Sequence, residues 1–207
     1  MSEGTKRYSG PLQFGLMLGI VIATMIAGYL MTPGTDEERQ SLVETLGTKN
    51  KGVLLSPTLD IDALGLRRDD GSLWSIPDGS LRWRILVPAV DQCDEECRQM
   101  LYITRQIHIR LNKQAHRVER AYVSLDGGID PSLMAFLEHD HPHILALEAD
   151  RETFEAWLAG SQLDWQPGHQ VAILVDPVGR AMMFYTNEHP GTDILLDLGH
   201  LLKYSPE

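Results

Sequence analysis

An α/β sandwich behind one N-terminal membrane helix is the architecture this sequence predicts. Three observations carry that prediction: a long uncharged apolar stretch near the N-terminus, short apolar segments that alternate with helical patterns, and the turn residues that punctuate them.

The apolar stretch runs from Leu12 to Met31, inside a segment from Tyr8 to Thr35 that carries no charged side chain. Roughly 20 helical residues, rising about 1.5 Å each, cross the hydrocarbon layer. Lys6 and Arg7 precede the run and Asp36, Glu37 and Glu38 follow it, so the positive-inside bias keeps residues 1–11 in the cytoplasm and sends the remainder across. A cleaved signal peptide has a shorter apolar core and a small-x-small site, and Tyr29-Leu30-Met31-Thr32-Pro33 offers none. Gly15, Gly19 and Ala23 add a small-xxx-small spacing, common in runs rich in Gly and Ala. Residues 32–51 read as a juxtamembrane tether with a short helix, capped by Thr35 or Asp36, striped by Leu42, Val43 and Leu46, and ended by Gly47. The remaining residues 52–207 suffice for one compact domain. A net charge of -11 and a pI near 5.1 argue against nucleic acid or an anionic membrane surface as the main partner, because both require basic patches.

The domain opens with β-type segments behind turns: Asp69-Asp70-Gly71 before Leu73 to Ile76, then Pro77-Asp78-Gly79 before Leu81 to Pro88. In the second, Trp83, Ile85 and Val87 alternate while Leu86 adds an apolar residue to the other face, as in a strand covered on both sides. Met100, Leu101, Ile103, Thr104, Ile107 and Leu111 follow at helical spacing, with Arg105, Arg110, Lys113 and Arg117 on a solvated face. Val118 to Leu125 reads as a strand, Pro131 to Glu138 as a helix, Ile144 to Leu147 as a strand and Glu152 to Leu163 as a helix. Val171 to Val175, the turn Asp176-Pro177-Val178-Gly179, and Ala181 to Tyr185 form a hairpin, closed by a helix over Asp193 to Leu202. Strands alternating with helices demand parallel pairing through right-handed crossovers, and a terminal hairpin adds antiparallel edges. The order is that of a thioredoxin-like sandwich.

Chemistry concentrates in Asp91-Gln92-Cys93-Asp94-Glu95-Glu96-Cys97, where the central strand gives way to the first long helix. In open α/β folds, sites collect at the carboxyl ends of strands. Cysteines at i and i+4 share one helix face, so Cys93 and Cys97 can bridge or share a soft metal ion. As a disulfide the pair closes almost no loop, which makes stapling a weak reason to keep it. The helix N-terminus lowers a thiol's pKa, whereas Asp94, Glu95 and Glu96 raise it; those acids also complement the helix dipole. His139, His141 and His143 form a rival cluster, which shares one side only if extended, and Pro142 disrupts that; His189 is a lesser candidate. No Gly-rich phosphate loop, HExxH or Gly-x-Ser-x-Gly elbow is present, which sets hydrolase and kinase readings aside.

From Leu64 through Cys97, the Asp-Asp-Gly turn, the tryptophan-bearing segments and C-x-x-x-C at a strand-to-helix junction resemble the Sco family of copper-binding cytochrome c oxidase assembly factors. The resemblance extends in order to the Asp176-Pro177-Val178-Gly179 hairpin, with Asp94 standing where that family has proline and without its aspartate-rich motif. It implies a membrane-anchored protein whose CxxxC pair and a distant histidine bind copper for oxidase subunit II, met directly or with other assembly factors. By that correspondence the ligands are Cys93, Cys97 and His169, the last in Gly168-His169-Gln170 just before the hairpin. Two thiolates select Cu(I) and an imidazole suits either copper state. The placement implied is a bacterial inner membrane, with the C-terminal domain in the periplasm. Two other readings stay open: a thiol-disulfide oxidoreductase without a stable metal, and a non-catalytic thioredoxin-like subunit or scaffold of a respiratory complex.

Overall fold

The structure, a computed structural model, describes residues 10–32, 34–35, 49–90, 92–161 and 169–205. The chain divides into two compact units, Met1–Lys49 and Asn50–Glu207. In the first, helix α1 spans Gly10–Met31. Its stretch Gly10–Leu30 has a mean hydropathy of 1.8 and buries none of its side chains within the protein, so by length and composition it is a candidate membrane span. The Thr24 and Thr32 hydroxyls donate to the Val21 and Gly28 carbonyls at 2.9 and 2.8 Å, which satisfies polar atoms inside an apolar run. The tether helix expected around Leu42, Val43 and Leu46 lies outside the described residues.

The second unit is built on a six-stranded sheet with the order β1-β6-β5-β2-β3-β4. The strands are β1 Val53–Asp60, β2 Trp83–Ala89, β3 Val118–Ser124, β4 Leu145–Glu148, β5 Val171–Val175 and β6 Arg180–Thr186. Helices α2 Glu95–Arg110, α3 Pro131–Asp140, α4 Arg151–Ala159 and α5 Gly191–Tyr204 complete it. β2, β3 and β4 run parallel, while β5, β6 and β1 continue from β2 in antiparallel pairs. Every residue of β2 is buried, as its two-sided apolar pattern requires.

Alternation along the strands sorts the core into two layers. Ile85, Val87, Tyr122, Ala172 and Leu174 meet Leu101 and Ile107 of α2, Leu133 and Leu137 of α3 and Leu198 of α5. Leu86, Ala121, Val123, Ile173 and Val175 face Trp74, Leu55 and the Phe154, Trp157 and Leu158 stripe of α4. This is the thioredoxin-like α/β sandwich that the order of elements predicts.

The structure changes two expectations. The hairpin does not supply the antiparallel edge, because β1 pairs with β6 and itself becomes the edge. Leu73 to Ile76 is not a strand: Leu73 makes one isolated bridge with Arg67, and Trp74 is buried as an anchor. The hydrophobic residues there serve packing rather than a ladder.

Asp197 of α5 fastens the start of this unit. Its buried carboxylate accepts from Lys51 N–H at 2.8 and 3.0 Å, from Gly52 N–H at 2.8 Å and from the Tyr185 hydroxyl at 3.0 Å. Burial first, and then the Asp197 charge, hold the Tyr185 phenol well above its usual range. A Cβ at Gly52 would press into the Tyr185 ring, so a bare backbone is required there.

Candidate functional site

The carboxyl end of β2 delivers the chain into the cysteine loop, and α2 leaves it. Cys93 and Cys97 are joined in a disulfide with their Cα atoms 5.1 Å apart. Their side chains are 2% and 1% exposed, embedded in the layer that holds Met100, Leu101 and Leu133.

The pair does not lie along one helix face. Helix α2 begins at Glu95 with Asp94 as its cap, whose carboxylate accepts from Cys97 N–H at 3.0 Å, so Cys93 stands outside the helix. The cysteines meet because Gln92 and Cys93 both adopt left-handed backbone, each with φ of 60°. Such a conformation costs a non-glycine residue about 1–2 kcal/mol.

Side chains around the loop offset that cost. Gln92 reaches across to the β3–α3 connection, donating to the Gly128 carbonyl at 3.2 Å and accepting from Asp130 N–H at 3.2 Å. Arg98 donates through Nε to the Cys93 carbonyl at 3.3 Å, and its guanidinium lies 4.4 Å from the centre of the Phe136 ring. Asp94, Glu95 and Glu96 sit as the dipole argument expects, at the cap and in the first turn. Asp94→Ala should therefore destabilise the domain by about 1 kcal/mol in denaturant titrations.

On the other side, Gln170 donates to the carbonyls of Pro88 in β2 and Val171 in β5, at 2.9 and 3.0 Å. It thereby pins the segment that carries His169. His169 is exposed and lines a cleft of about 20 Å³ with Pro88, Ala89, Val90, Asp94, Leu125 and Gln170, room for about one water-sized occupant. Neither cysteine is part of this lining, which Asp94 shares with the histidine. Among the described residues no cluster of three His, Cys, Asp or Glu side chains is placed to hold a metal ion. A closed disulfide also has no thiolate to offer one.

The other histidines part company. His139 is exposed beside Asp140 at 3.2 Å, His141 is buried edge-on to Phe136, and His143 sits in a left-handed turn. His189 faces Tyr185 edge-on, and its Nδ1 accepts from Thr186 N–H at 3.1 Å. Deeper in the layer of the cysteines, burial pushes the Tyr122 phenol up to about 12. Gln92 and Gln170 lie within the stretches that the sequence singles out but carry no sign of their bonding roles, and Arg98 and Phe136 are not legible as parts of the site. Arg98 alone carried a signal, as the basic residue next to Cys97 in a loop of acids.

Residues 83–205 match the family described as "Transmembrane-like, thioredoxin-like, C-terminal domain". The chain belongs to this family. In this transmembrane-like, thioredoxin-like protein the matched region runs from β2 through α5, and so contains both cysteines and His169. No curated protein sequence matches the chain. Solved structures do. Arabidopsis thaliana ScoI with copper bound is 16% identical over 74% of this chain and 99% of its own, with a TM-score of 0.52. Yeast Sco1 with copper bound is 14% identical over 77% and 97%, with a TM-score of 0.54. BsSco, a member of the Sco family of cytochrome c oxidase assembly proteins in which a disulfide switch was identified, is 14% identical over 72% and 96%, with a TM-score of 0.53. At these identities the likeness is one of fold.

Proposed function

We propose that this protein is a membrane-anchored thiol-redox and copper-binding factor in the assembly of a respiratory cytochrome c oxidase. The observation that carries the reading is the Cys93–Cys97 disulfide at the strand-to-helix junction, with His169 in the adjoining cleft beside Asp94. A dithiol reductant that exchanges with the bridge gives it two electrons and two protons, leaving two thiols here and a disulfide in the reductant. The reduced pair with His169 supplies a donor set suited to copper, and a bound copper ion would be the cargo handed to the oxidase. The fold shared with copper-bound ScoI and Sco1 supports the reading. So does the candidate membrane span, which would hold the site at the exported face of a bacterial inner membrane, near oxidase subunit II or its assembly factors.

The chain's own residues divide the work. Asp94 and Gln92 fix the loop, Arg98 holds the Cys93 carbonyl, and Gln170 sets the position of His169. Anaerobic Cu(I) titration of the full chain in detergent tests the reading: one ion should bind the dithiol form and none the disulfide form. Equal binding by both forms would overturn it.

A second reading is favoured by the missing three-donor cluster among the described residues. In it the same pair exchanges disulfides with a partner and holds no stable metal. Turnover with a disulfide substrate, in a reduced chain that takes up no copper, would establish that alternative.

A further inference from the structure

At the amino ends of β3 and β4, the pole opposite the cysteines, lies a cationic corner that the redox reading does not use. Arg120, in β3 beside Ile85 of β2, is only 4% exposed. Its Nη2 donates to the Pro142 carbonyl at 3.3 Å, and its Nη1 has no hydrogen-bond partner. Among the described residues no carboxylate stands within ion-pair distance of it. The adjacent Glu119 is already taken, by Arg84 at 3.1 Å and Arg82 at 3.7 Å.

Most titratable groups around Arg120 are bases, although Glu119 lines the same cavity and Asp140 acts on His141 with the opposite sign. Arg105 and His108 come from α2 and His141 and His143 from the turn before β4, with His116 on the same cavity from the 3-10 turn after α2. His108 Nε2 and His116 Nδ1 each donate to a backbone carbonyl, of Val118 at 3.1 Å and of Lys113 at 2.8 Å, which fixes both rings at the rim. The consequences are visible in protonation. Burial, with Arg105 second, brings Arg120 down to about 10. Burial, then Arg120 and Arg105, brings His141 down to about 4. A buried cation without a counter-charge is costly, and Arg120 is part of the wall of a cavity of about 260 Å³ together with Arg82, His108, His116, Glu119 and His143.

We propose that this cavity binds a small tetrahedral oxyanion of the phosphate or sulfate class, with Arg120 as its buried cation and His116 and His143 at its mouth. The guanidinium supplies the charge and the N–H groups that Pro142 leaves open, and His116 and His143 add N–H donors to the anion when their rings are protonated. A metal is a poorer occupant, since the imidazoles do not converge as a ligand group and Arg120 repels a cation.

Isothermal titration calorimetry of the full chain in detergent, with sodium phosphate against sodium chloride at matched ionic strength, tests this. Saturable one-to-one binding of phosphate and none of chloride is expected. The His116→Ala/His143→Ala double variant, whose changes lie at the rim, should bind at least about fivefold more weakly with an unchanged circular dichroism spectrum. Arg120→Met should not bind phosphate at all. Unsaturable heats in the wild type would overturn the proposal. So would wild-type affinity in the double variant, or a chain that takes acetate in preference to phosphate.

Discussion

Replacing Cys93 by alanine is expected to reduce the Cu(I) affinity of the reduced chain about a hundredfold or more, because even the loss of a residue that merely supports a metal ligand costs about 10- to 100-fold. A competition assay against a chromophoric Cu(I) chelator measures this directly. The variant retains Cys97 and His169, so residual binding reports what one sulfur and one imidazole hold. His169→Ala, an exposed change, should weaken binding less than loss of either sulfur and leave the redox couple of the pair intact. Should Cys93→Ala keep the wild-type affinity, the copper reading fails, while disulfide exchange is judged by its own turnover assay. Packing does not confuse the outcome, since the side chain lost is small and folding is monitored alongside by circular dichroism.

Asp197→Ala should cost the domain several kcal/mol, because a buried donor left without its acceptor costs about 1–3 kcal/mol. Two backbone N–H groups and the Tyr185 hydroxyl would lose their acceptor together. Asp197→Asn retains one acceptor oxygen and should fall between. Denaturant unfolding of the full chain, followed by tryptophan fluorescence, reads the midpoint. An unchanged midpoint in Asp197→Ala would mean that water replaces the carboxylate freely.

The contrast between strands shows what a sequence makes legible here. β5 and most of β2 announce themselves because sheet strands covered on both faces are apolar nearly throughout, and β3 is legible from its apolar run Ala121 to Val123 despite Glu119 and Arg120. β1 is not. Only Leu55 and Leu59 of Val53–Asp60 point inward, four apart rather than alternating, and Pro57 argues against a strand unless it lies at an edge. Conversely Leu73-Trp74-Ser75-Ile76 has strand composition yet packs as a loop, since one buried tryptophan satisfies the same hydrophobic demand.

At the site, the location of Cys93 and Cys97 was readable from where a strand yields to a helix. Their geometry was not, because the helix starts one residue after Asp94 and two non-glycine residues take left-handed backbone that no local pattern signals. Long-range partners such as the Gln92 bridge to Gly128 and Asp130 are properties of the assembled sheet, and a linear reading has no access to them.

The Asp197 clamp also has a mechanical meaning. β1 is an edge strand held by a single neighbour, β6, so a pull applied at its start would peel its hydrogen bonds one after another at low force. Asp197 grips the two residues just ahead of that strand, Lys51 and Gly52, through bonds that must break together before peeling can begin. Tension arriving along the polypeptide from the N-terminal unit is therefore borne by α5 and the core beneath it, and the weakest strand of the sheet is spared.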